Sequence, residues 1–61
     1  MNNKANAYIN ILYNLIDDTL SALIENEMAK YESDIDYKYV DQLISVLDAT
    51  DKYVVKIKEL I

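Results

Sequence analysis

The chain has 61 residues, 11 of them Asp or Glu and 6 Lys, for a formal net charge of −5, and it contains no Arg, His, Cys, Gly or Pro. That excludes disulfides and the usual zinc sites, and an acidic chain without Arg is a poor nucleic-acid reader. One domain this short buries only ~60% of its unfolded surface, so self-association or a larger partner is expected to supplement its core.

The lack of Gly and Pro disfavours a β-rich fold, which needs several tight turns. What remains is an all-α chain with one or two loops. No apolar run is long enough to span a membrane. Met1-Asn2-Asn3-Lys4 does not open a signal peptide. The expected location is therefore the cytoplasm, that of the host cell if the chain is phage-encoded.

The first helix is expected over about 4–31, with Asn2 or Asn3 as its N-cap. On a wheel of about 100° per residue, Tyr8, Ile9, Ile11, Leu12, Tyr13, Leu15, Ile16, Leu20, Leu23 and Ile24 fill an arc of roughly 220°. An ordinary amphipathic helix needs about half that width. In heptad terms Ile9, Leu12, Ile16 and Leu23 hold the a and d sites, and Tyr13 and Leu20 the flanking e sites. This helix is expected to be the inner one, meeting its hairpin partner and a second chain at once. Glu27 and Lys30 interrupt the apolar arc, as at a helix leaving a core.

The turn is expected at about 32–36, Glu32-Ser33-Asp34-Ile35-Asp36. Ser33, Asp34 and Asp36 are all candidate caps for the second helix, and acids in its first turn suit the helix dipole. That helix is expected over about 36–60. Val40, Leu47, Val54 and Ile61 recur every seventh residue. Leu43, Thr50 and Ile57 take the d sites, and Tyr39, Val46, Tyr53 and Leu60 the g sites. Two alternatives stand beside one long helix. Asp48-Ala49-Thr50-Asp51 can cap a third helix, and Tyr53–Lys58 has the composition of a strand.

Two helices of about 25 residues, each roughly 38 Å long, read as an antiparallel hairpin with wet flanks. Two hairpins would close a four-helix bundle. The expected dimer core is Ile9, Leu12, Ile16, Leu20, Leu23, Val40, Leu43, Leu47, Val54 and Ile57. Thr19 and Thr50, both at d sites, either fix register or bond back to their own helix. In layout alone the hairpin resembles the Rop-type antiparallel dimers. No residue motif is shared, and the basic RNA-binding face of that family has no counterpart here, so no activity carries over.

No catalytic function is expected. Without His or Cys, Ser–His and Cys–His nucleophile pairs are impossible, and no Gly-rich turn can cradle a phosphate. Asp34, Asp36 and Asp41 lack the glycine and spacing of a calcium loop. No cofactor or metal is expected. Lys52, Lys56 and Lys58 read as a solvated helix face. Two features point to protein binding instead. All six aromatic residues are Tyr, and Tyr31, Tyr37 and Tyr39 bracket the turn. The turn is also acidic, which suits steering of a basic partner. The expected protein-binding patch is Tyr31, Glu32, Asp34, Asp36, Tyr37 and Tyr39. The Asn6, Asn10, Asn14 and Ser21 strip is a second polar surface. The expected function is a stoichiometric inhibitor or adaptor of a larger protein, of the kind phages and mobile elements encode. An antitoxin or immunity protein is the alternative, followed by a structural subunit or an acidic nucleic-acid mimic.

Overall fold

The computed structural model describes residues 3–61. Helix α1 (Asn3–Met28) and helix α2 (Tyr37–Leu60) pack against each other as an antiparallel hairpin, joined by a connection with one 3₁₀ turn, Glu32–Asp34. Among the described residues there is no strand, and α2 crosses Asp48-Ala49-Thr50-Asp51 unbroken. Neither the third helix nor the C-terminal strand forms.

Helix α1 stops three residues short of the expected boundary near residue 31. The Ala29 N–H still donates to the Glu25 carbonyl at 3.0 Å, but the Lys30 N–H donates to Glu27, three residues back, at 3.3 Å. This tightens the last turn and frees the chain to leave. Tyr31 is then extended, with φ −57° and ψ 142°. At the other end, Asn3 is itself helical and therefore not a cap, while Asn2 lies outside the described residues. Ser33 and Asp34 sit in the 3₁₀ turn, so of the three candidate caps it is Asp36 that starts α2. Its carboxylate accepts the Tyr39 N–H at 3.1 Å, satisfying one orphan donor of the new helix.

The α2 heptad faces α1 from Val40 to Val54, while Ile57, the last d site, is exposed. Val40 and Leu43 are buried, and Leu47, Thr50 and Val54 are half-buried. On α1 the residues turned inward are Ile9, Tyr13, Ile16, Leu20, Ile24 and Glu27. Leu12, placed at the seam by heptad counting, is 58% exposed, and Leu23 is exposed too. Helix α1 is thus rotated toward its e flank. The cause is chemical. On that edge of the wide arc, Tyr13 and Glu27 find polar partners across the hairpin, Asp51 and the Asp36 backbone. The opposite edge, with Tyr8, Leu12, Leu15 and Leu23, is mainly apolar and stays open.

Thr19 and Thr50 donate their hydroxyls to the carbonyls of Leu15 and Val46, both at 2.8 Å. They bond back to their own helices and carry no register contact. The hairpin is long and thin, 49 × 15 × 8 Å. Its radius of gyration is 14.6 Å, against about 10.5 Å for a compact chain of this length.

Candidate functional site

The turn end is organised by one carboxylate. Glu27 is 8% exposed, the sole buried polar side chain among the described residues. One oxygen accepts the Asp36 N–H and the other the Lys30 ammonium, each at 3.0 Å. A capping box normally lets the third residue of a helix reach back to the N–H of its own cap. That position here is Tyr39, which cannot, and Glu27 performs the role from the other helix. These contacts, led by the Asp36 N–H and joined by Lys30, hold the Glu27 carboxyl below its ordinary value of 4.5 against the opposing effect of burial. The sequence shows the acid in the apolar arc but gives no sign of its partner, because that partner is a backbone group.

Around this brace lie the residues expected to bind protein. Tyr31 is 85% exposed, and Tyr37, Glu32, Asp34 and Asp36 are exposed as well. Tyr39 is half-buried and Asp36 is engaged as the cap. The free part of the patch is therefore Tyr31, Glu32, Asp34 and Tyr37. Charge concentrates at this end. Residues 25–41 hold six acids and two lysines, while the rest of the chain holds five acids and four lysines.

The second surface runs along one side of the hairpin. Tyr8, Leu12, Leu15 and Leu23 from α1 and Val46, Tyr53, Ile57 and Leu60 from α2 are all exposed. Their spacing places them on the same side of the two helices. Between them is an open groove of about 350 Å³, lined by Ile9, Leu12, Ile16, Ala49, Tyr53 and Ile57 among others. A shallower groove continues it past Leu15, Thr19 and Val46. The walls offer almost no hydrogen-bonding groups to orient a polar ligand. Lys56 stands 6.0 Å from the centroid of the Tyr53 ring, at the outer limit of a cation–π contact.

The opposite side is mixed, with exposed Met28, Ile44 and Val55 among its polar groups. The Tyr13 hydroxyl donates to the Asp51 carboxylate. That hydrogen bond, helped by burial and by the Asp51 charge, raises the Tyr13 phenol above its ordinary value of 10.0. Asn10, Asn14 and Asp17 share this side by helical spacing. Among the described residues no three carboxylates converge on a metal-sized site, and no helix is long and apolar enough to cross a membrane. Compared with known proteins, the chain matches no family model, no curated protein and no solved structure.

Proposed function

We propose that this protein is a non-catalytic binding module that acts stoichiometrically, as an inhibitor or adaptor of a larger protein. It works as a homodimer whose two hairpins bury their open apolar sides as a four-helix bundle. The observation that carries the reading is the uncovered apolar side of the hairpin. A folded monomer of 7.1 kDa exposes on average about 4,100 Å². This hairpin exposes 4833 Å². The excess, about 750 Å², is close to the roughly 800 Å² that one partner contributes to a standard interface. A continuous band of eight large apolar side chains is the kind of exposed surface that marks an interaction site. Dimerisation leaves the acidic, Tyr-bearing turn in water, where rigid rings lose little entropy on binding.

Two measurements test the reading. Sedimentation at micromolar concentration should give about twice the 7.1 kDa chain mass; a folded monomer overturns the dimer. Leu12→Asp, on the open side, should abolish that dimer, either as a monomer or by unfolding. For binding, the partner that co-purifies from the native host is titrated against Tyr31→Ala and Tyr37→Ala. Each should weaken affinity by about 30-fold, the worth of an aromatic anchor. Glu32→Gln with Asp34→Asn should slow association at low salt. Unchanged binding in all of these, with binding lost on substitution of Asn10 and Asn14, would place the interface on their side of the hairpin instead.

A further inference from the structure

We infer that the two hairpins lie antiparallel and staggered, with their acidic turns at opposite ends of the bundle. This rests on the dimer reading above and goes on to say how the turns meet a target.

The first reason is where the apolar band sits. It runs from Tyr8 to Leu23 on α1 and from Val46 to Leu60 on α2. It reaches the open end of the hairpin but stops short of the turn. Matching two such bands antiparallel staggers the hairpins by about 10 Å, at 1.5 Å per residue. Each helix then meets its own copy. Tyr53 falls opposite the partner's Ala49, Val46 opposite the partner's Ile57, and Leu12 opposite the partner's Leu15. Tyr53 then meets a small residue, the other two pairs are apolar on both sides, and each turn overhangs the partner's open end.

The second reason is charge. A parallel arrangement also superposes the bands, but it sets two strongly acidic turns side by side. Each holds six acids and two lysines within residues 25–41. At roughly one to two Debye lengths, like charges still repel, and more so as salt is lowered. The antiparallel arrangement separates the turns by the length of the bundle. It brings each one beside the partner's open end instead, where Lys4, Lys56 and Lys58 outnumber Glu59.

The consequence for binding is stoichiometric. Two patches facing away from each other cannot grip neighbouring sites on one compact target. The dimer therefore joins two target molecules end to end, and it gains avidity only on arrays that can span it.

Because the chain has no Cys, Ser33→Cys in the exposed turn gives one labelling site per protomer. Spin labels there should lie about 55 Å apart in the dimer, and any separation above about 40 Å supports the arrangement. A shorter separation in a sample that sediments as a dimer overturns the arrangement and leaves the dimer standing. A monomer on sedimentation overturns both. Mixing Ser33→Cys donor protein with Lys4→Cys acceptor protein supplies the converse reading. Energy transfer should be efficient, since turn and open end lie within about 25 Å; its absence in a confirmed dimer again overturns the arrangement.

Discussion

Two side chains turn a sequence oddity into structure. Glu27 looks misplaced in an apolar arc, yet its carboxylate ties the end of α1 to the start of α2 through the Asp36 N–H. Removing it leaves that N–H and the Lys30 charge without their partner. Glu27→Ala should therefore lower the melting temperature by several degrees at fixed protein concentration. Acid should remove the same contribution. The fold lowers the Glu27 pKa, so its stabilisation is complete above the unfolded value of about 4.5 and fades as pH falls through the lower folded value. In thermal melts from pH 7 to pH 3, the gap between wild type and Glu27→Gln should narrow below that point. A gap that stays constant would mean the carboxylate charge has no part in the brace. Tyr13 has the opposite sign. Its pKa is raised, so its contribution is complete below about pH 10 and is lost as pH rises through the folded value. The advantage of wild type over Tyr13→Phe should shrink in alkaline melts. Asp36→Ala removes the side-chain cap of α2 and should cost about 1 kcal/mol, or about 4–8 °C in a domain of this size.

At the scale of elements, the two helices differ in how much their sequences reveal. Helix α2 has a narrow stripe, and its a and d positions from Val40 to Val54 are the ones that meet α1. Helix α1 has an arc wide enough to dock by either edge, so counting heptads cannot select the edge that wins. The choice falls to Tyr13 and Glu27 at the e flank, whose polar partners become visible only once α2 is in place. The same limit applies to the turn. Its location is readable from Ser33, Asp34 and Asp36, but the cap among them is fixed by the Tyr39 N–H and the cross-helix brace. Within the candidate site, Tyr31 and Tyr37 stand out in water as their placement beside the turn suggests, whereas Tyr39 is half spent on the hairpin. Helix α2 is rich in Val and Ile, which are weak helix formers, so packing must hold it. A peptide of residues 33–61 should give the circular dichroism of a largely disordered chain. Strong helicity in a monomeric peptide would show that α2 needs no partner.

The whole molecule is a thin slab, apolar along one side, mixed on the other and acidic at one end. Its connection makes the tight reversal without glycine, and no described residue has a positive φ. The left-handed backbone that restricts most reversals to Gly or Asn is not used. Glu32, Ser33 and Asp34 occupy ordinary right-handed geometry, and their side chains are exposed. Backbone conformation thus places little restriction on what these positions hold, provided Glu27 and Asp36 are kept. Libraries randomised at 31–34 should stay folded at high frequency, which a thermal-challenge screen would count, while those randomised at 27 and 36 should not. A hairpin built this way separates the residues that make its shape from those that meet the outside. The proposed binding surface, carried on these permissive positions, can therefore change without disturbing the shape that holds it.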